Sequence, residues 1–144
     1  MHKVQVARVR EIPEITRLLW SIGKTGMSTE HILDFDVWLV VKDREGKIIG
    51  CDALERSGKL LHGHSLAVAK EYRGQGVGSA LVQYGFDHYV NRGDTRVVFT
   101  YFWNRDFYER LGFTRADSKF YKNVDDIGRR ELHKSSMTLI RKKE

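Results

Sequence analysis

Apolar positions in this chain fall into short blocks, and the spacing within them alternates between a period of two and a helical period. Residues 4–9 alternate as an edge strand does. Pro13 opens a helix at a position where its missing N–H costs nothing. Ile12, Ile15, Leu18, Leu19 and Ile22 recur at helical spacing and give that helix a buried stripe. Gly23 to Gly26 breaks it, and Ser28 is placed to cap a short second helix running to about Leu33. Residues 35–42 are apolar on both faces, as in the middle of a sheet. A turn at 43–46 returns the chain as an antiparallel strand over 47–55. Ser57-Gly58 turns it again into a third strand over 60–68.

Residues 77–91 carry a helical pattern, with Val77, Leu81, Gly85 and His88 or Tyr89 on one face. Gly93 fits the C′ position of that helix. Residues 95–101, rich in Val, Phe and Thr, predict a strand. Asn104 is placed to cap a short helix, with Asp106 in its first turn and Gly112 at its end. Residues 113–140 read as two further strands around a turn near 124–128. The order βααβββαβαββ predicts an α/β fold with a mixed sheet.

Composition narrows the class. The chain has 144 residues, 41% hydrophobic and 31% charged, which suits one domain, 1–144, with a packed core. The longest apolar run, 37–41, is far too short to span a bilayer, so no membrane is expected. The first residues are charged and interrupted by Pro13, unlike a signal peptide. Cys51 is the single cysteine and has no internal partner, and a cytoplasmic location is expected. The net charge of +6 suits a polyanionic ligand. Basic residues are scattered among acidic ones, the dense run 141–143 reads as a solvated tail, and nucleic acid is not expected as a partner.

The chemistry concentrates in residues 65–81. A short apolar strand ends at Val68, a charged turn follows, and Arg73-Gly74-Gln75-Gly76-Val77-Gly78 leads into a helix. Such a loop leaves main-chain N–H groups free to face an anion, reinforced by the helix dipole. It lacks the Gly-Lys-Ser/Thr ending of a P-loop and the G-x-G-x-x-G of a dinucleotide fingerprint.

The Arg73 loop resembles the Arg-x-x-Gly-x-Gly acyl-CoA motif of the GNAT N-acetyltransferases. Residues 104–113, Asn104-Arg-Asp-Phe-Tyr108-Glu-Arg-Leu-Gly-Phe113, look like the second signature of that family. The resemblance spans about 37–113. It implies a mostly antiparallel sheet splayed between strands 4 and 5, acetyl-CoA as co-substrate, an amine acceptor and no metal. Homodimers are common in the family. The pantetheine arm would pair with Leu66, Ala67 and Val68 like an added strand. The diphosphate would sit on the N–H groups of Arg73, Gly74, Gln75, Gly76, Val77, Gly78 and Ser79. An N–H of Ala67 or Val68 would serve as oxyanion donor. Tyr108 would protonate the departing sulfur, and Asn104 would touch the cofactor arm.

For the base, His62 and His64 lie two apart on the strand lining the cleft and face the same side. Glu55, Asp52 and Asp36 are carboxylate rivals, and Cys51 reads as a small core residue. Trp20, Trp38, Trp103, Phe120 and Tyr121 are candidates for lining the acceptor site. Within the family, residues 37–54 with 65–68 resemble amino-acid acetyltransferases of the N-acetylglutamate synthase type. Those often carry an acidic and a basic residue where this chain has His62 and His64, so glutamate is not implied as the acceptor. The expected activity is acetyl transfer from acetyl-CoA directly to a primary amine of a small molecule or amino acid. A protein N-terminus or lysine is the alternative acceptor. A non-catalytic acyl-CoA-binding module is the alternative of another class.

Overall fold

The computed structural model describes residues 2–24 and 32–144. Its framework is a sheet of seven strands, β1 (Val4–Val6), β2 (Val37–Lys42), β3 (Ile48–Ser57), β4 (Leu60–Val68), β5 (Thr95–Thr100), β6 (Thr114–Arg115) and β7 (Met137–Lys142). Their order across the sheet is β1-β2-β3-β4-β5-β7-β6. All neighbours are antiparallel except β4 and β5, which run parallel. The expected mixed sheet, open between strands 4 and 5, is therefore present. Among the described residues, no helix is long and apolar enough to cross a membrane.

Helix α1 (Ile12–Ser21) buries Ile12, Ile15, Leu18 and Leu19 on one face of β2, β3 and β4. Helix α2 (Val77–Tyr89) covers the other face, with Val77, Leu81 and Phe86 against Leu39 and Leu54. A third apolar group joins α2 to β5, β7 and helix α3 (Arg105–Arg110) through Val82, Val98, Tyr108 and Leu139. Alternation along each strand sends side chains to these opposed layers.

Several boundaries differ from the sequence pattern. β1 stops at Val6, because Val9–Glu11 forms a single 3-10 turn leading into α1. Ser28, the expected cap of the second helix, lies outside the described residues; residues 32 and 33 are helical. Helix α2 ends at Tyr89 with an extended Val90, so Gly93 is not its C′ residue. Gly93 instead takes φ +89° in the turn before β5 and donates its N–H to the Lys143 carbonyl at 2.7 Å. Asn104 precedes α3 but does not cap it; its amide donates to Thr100 Oγ1 at 3.0 Å.

The largest correction concerns 113–140. Strands β6 and β7 exist, but between them lie helices α4 (Ser118–Lys122) and α5 (Asp126–Glu131) rather than a turn. Each begins on an aspartate cap: Asp117 accepts from Phe120 N–H at 2.9 Å, and Asp125 from Gly128 N–H at 2.8 Å. Strand β7 inserts between β5 and β6.

Candidate active site

β4 and β5 pair only from Leu60/Thr95 to Gly63/Val98, although β4 continues to Val68 and β5 to Thr100. Beyond Gly63 the strands part. On its other side β4 slips register against β3 between Cys51 and Ala53, and Ser65 there adopts φ +56°. This bulge resets the alternation of β4. Ala69 N–H bonds the Ile49 carbonyl at 2.8 Å, and Ala67 stands in register with Cys51, so both turn their main chain toward β3. Leu66 and Val68, by the same alternation, turn theirs toward the opening. Their carbonyls accept from Lys24 Nζ at 3.3 Å and Arg73 Nε at 3.2 Å. Of the two oxyanion donors named from the sequence, Val68 faces the opening and Ala67 faces β3.

The opening is a cleft of about 870 Å³ that reaches from Gly74 and Gly76 past Val68 to Tyr108. A 3-10 turn (Lys70–Tyr72) carries the chain from β4 into the glycine loop. Gly74 and Gly76 have φ +74° and +84°, and a Cβ built on either would meet nothing within 4 Å. Only glycine takes this backbone without strain, and the space before it is open. Helix α2 starts at Val77 with no capping side chain, and its first bond runs from Ala80 N–H to the Gly76 carbonyl. The N–H groups of Val77, Gly78 and Ser79 thus have no acceptor within the helix, at the positive end of its dipole. This cradle suits a diphosphate. Gly78 serves packing as well: its Cβ position is 3.4 Å from the Phe107 ring. Gln75 lies outside the cleft lining, held by Glu71 and His2.

Tyr108 projects from α3 into the same cleft, its ring packed edge-on to Phe107 and Phe113. Burial, then the nearby Asp52 charge, pushes its phenol above the ordinary range, while Arg96 opposes them. The phenol therefore holds its proton at neutral pH. Asn104 lines the cleft beside it.

The two histidines differ. His64 is in the cleft wall, stacked on Phe35 at 4.7 Å, with Nε2 3.0 Å from Glu55 Oε1. Burial pushes its imidazole down to about 4. His62 is fully buried outside the lining, and its Nε2 meets Asp125 Oδ2 at 2.9 Å. Of the carboxylate rivals, Asp52 lines the cleft, and burial raises it to about 6 against the pull of Arg96 and Lys24. Glu55 is shared between His64 and Arg130, and Asp36 accepts from the Arg56 N–H away from the cleft. Cys51 is buried, and its thiol is pushed up by burial and by Asp52, which makes it an inert core group.

Of the candidate acceptor aromatics, Trp103 lines the cleft and stacks on Tyr101 at 4.6 Å. Trp38 is buried against α1, and Trp20, Phe120 and Tyr121 are not in the lining. The sequence reading passed over Arg96, a buried charge in the cleft wall. Its one local sign is an arginine directly before the apolar run Val97-Val98-Phe99.

A family model described as an acetyltransferase (GNAT) domain matches residues 34–115. An uncharacterised N-acetyltransferase of Chlorobaculum tepidum is 28% identical over 123 residues, covering 82% of this chain and 79% of that protein. N-alpha-acetyltransferase 30 of Schizosaccharomyces pombe is 33% identical over 108 residues, covering 69% and 72% respectively. A GNAT family N-acetyltransferase of Escherichia coli, solved in complex with CoA, superposes with a TM-score of 0.67 at 25% identity over 78% of this chain and 68% of that one. The fold is shared with N-acetylglutamate synthase of Neisseria gonorrhoeae, at TM-score 0.82 and 17% identity, where this chain spans 35% of the longer protein.

Proposed function

The chain belongs to the GNAT acetyltransferase family and is an acetyl-CoA-using N-acetyltransferase; from that premise we propose that its acceptor is a primary amine of a small molecule or amino acid. The observation that carries this reading is the composition of one cleft. Gly76, Val68 and Tyr108 share its wall with the cationic Lys24, Arg73 and Arg110, while Arg96 there is paired to the carboxylate of Asp52. A carboxylate-bearing amine complements that excess of positive charge.

Acetyl-CoA supplies the acetyl group as an activated thioester. In this reading the N–H groups of Val77, Gly78 and Ser79, with those of the glycine loop, hold its diphosphate. The Leu66 and Val68 main chain pairs with the amides of its arm, as an added strand would. The Val68 N–H faces the carbonyl oxygen and stabilises negative charge there as the amine attacks. His64 is the proposed acceptor of the proton released by the amine, directly or through water; burial, which pushes its imidazole down to about 4, makes it a weak base, so the proton passes on to solvent. The Tyr108 phenol donates its proton to the departing sulfur. His62, committed to Asp125, supports the wall on which His64 stands.

A protein N-terminus is a second acceptor reading, favoured by the 33% identity to N-alpha-acetyltransferase 30. Thiol release from acetyl-CoA, measured against free amino acids, simple amines and peptides with free N-termini, separates the two. Turnover with amino acids at far lower concentrations than with peptides supports the first reading. Turnover confined to peptides overturns it.

A further inference from the structure

Arg96 rises from β5, crosses over β4 and reaches Asp52 on β3. Its Nη2 lies 3.3 Å from Asp52 Oδ2, and its Nη1 donates to the Val97 carbonyl at 2.9 Å. Both side chains are almost fully excluded from solvent, at 1% and 2% exposure. The crossing is made directly over Gly63: a Cβ on that residue would overlap Nη1, Nη2 and Cζ of the guanidinium. The glycine in the middle of β4 is there to let the arginine pass.

Two irregularities make the fork, and the pair joins them. Gly63 is the last residue of β4 paired to β5, opposite Val98. Asp52 sits within the register slip between Cys51 and Ala53, beside the bulge at Ser65. Arg96 therefore anchors one end at the fork and the other at the bulge.

This geometry is a poor stabiliser. Burying two charges is costly, and a pair repays that cost only with good geometry and all its hydrogen bonds made. Here the contact is a single one at 3.3 Å, and the Arg96 Nε is buried without an acceptor. The best-attested use of such a pair is to fix register. Extending the β4–β5 ladder past Gly63, or smoothing out the bulge, moves β4 against β3 or β5. Either movement separates the charges and leaves two buried ions unpaired. Smoothing the bulge would also exchange the faces of residues 66–68, turning the main chain of Leu66 and Val68 toward β3.

We infer that Arg96 and Asp52 are a positioning pair that stops β4–β5 pairing at Gly63 and keeps the main chain of Leu66 and Val68 open to acetyl-CoA. The inference rests on acetyl-CoA using that edge and is independent of the acceptor.

The test is amide exchange, followed by mass spectrometry, on the ligand-free protein, together with calorimetric CoA binding. In the double variant Arg96→Met with Asp52→Leu, apolar groups of similar volume replace the ions. The expected result is a folded protein with an unchanged or higher melting temperature, at least tenfold slower exchange across residues 66–68, and at least tenfold weaker CoA binding. A loss of fold alone would lower the melting temperature and speed exchange, so slower exchange is specific to the closed fork. A folded double variant with wild-type exchange, or with wild-type CoA affinity, overturns the inference. If the double variant does not fold, Asp52→Asn removes the charge while keeping the shape. Slower exchange at 66–68 with weaker CoA binding in that variant supports the inference, and wild-type values overturn it. Neither readout needs an acceptor or turnover, so an error in the acceptor assignment leaves the result standing.

Discussion

His62 Nε2 and Asp125 Oδ2 lie 2.9 Å apart, joining the centre of β4 to the start of α5. The same aspartate caps that helix through Gly128 N–H. One carboxylate thus fastens the helical excursion between β6 and β7 to the sheet beside the cleft. Burial acts to raise the Asp125 carboxyl, but the bonds from Gly128, His62 and Ser57 together outweigh it and hold the group below the usual carboxylate range.

Asp125→Ala should therefore remove a helix cap and leave His62 without its partner inside the protein. A cap is worth about 1 kcal/mol, and a buried group left unsatisfied costs about 1–3 kcal/mol more. Urea denaturation should show a loss of roughly 2–4 kcal/mol from the sum of those two terms. Asp125→Asn, which keeps an acceptor oxygen, should lose less. Equal stability of Asp125→Ala and wild type would mean that the cap and the histidine contact contribute nothing.

The helices that Asp125 helps to hold mark the limit of what the sequence made legible. Strands β2 to β4 and helix α2 were readable because each carries an uninterrupted apolar period over six or more residues. Helices α4 and α5 have five and six residues, too few to repeat a stripe, and their only local signs are the caps Asp117 and Asp125. The glycine loop and Tyr108 were legible as motifs. The crossing of Arg96 over Gly63 was not, because 33 positions of sequence separate residues that only the parallel pairing of β4 and β5 brings together. Likewise, nothing local distinguishes His62, tied to Asp125, from His64 in the cleft wall.

Asp52 and His64 should give opposite dependences of stability on pH. Folding lowers His64 from 6.5 to about 4, so between those values the unfolded chain binds more protons and stability falls as pH falls. Folding raises Asp52 from 3.8 to about 6, so the folded chain binds more protons and stability falls as pH rises. In wild type the two slopes largely offset. Relative to wild type, His64→Gln should gain stability on going from pH 6.5 to 4.5, and Asp52→Asn on going from 4.5 to 6.5. Each relative change is bounded by about 3 kcal/mol, from about 1.4 kcal/mol per pKa unit. Denaturant midpoints at the two pH values check this. Parallel behaviour of both variants with wild type would rule it out.

Gly76 and Gly78 should respond differently to the same substitution. Gly76 has φ +84° and faces open space in the cleft, so Gly76→Ala strains the loop by about 1–2 kcal/mol and puts a methyl into the proposed diphosphate cradle. CoA affinity should fall at least tenfold. Gly78 does not have a positive φ, and an added methyl meets the edge of Phe107 at 3.4 Å. Gly78→Ala should therefore keep the fold and lose less affinity. Calorimetric titration of both variants with CoA measures the difference, and equal losses would show that backbone conformation is not what the loop contributes.

Tyr108→Phe isolates the hydroxyl from the ring. The ring is buried between Phe107 and Phe113, and phenylalanine fills the same space, so the melting temperature should stay within a few degrees of wild type. If the hydroxyl is the proposed proton donor, the sulfur in the variant must leave as an unprotonated thiolate, and general acid catalysis is worth about 10²–10⁴ in rate. The value of kcat should then drop by about that factor while CoA affinity changes little, because in that role the phenol acts on charge that develops only as the bond breaks. The phenol is held above its ordinary range by burial and by Asp52, so wild type should show no alkaline loss of rate from tyrosine ionisation below about pH 10. Acetyl-seleno-CoA, whose selenol is a far better leaving group, should recover much of the lost rate in the variant. A Tyr108→Phe enzyme equally slow with both donors would assign the hydroxyl to binding rather than to proton transfer.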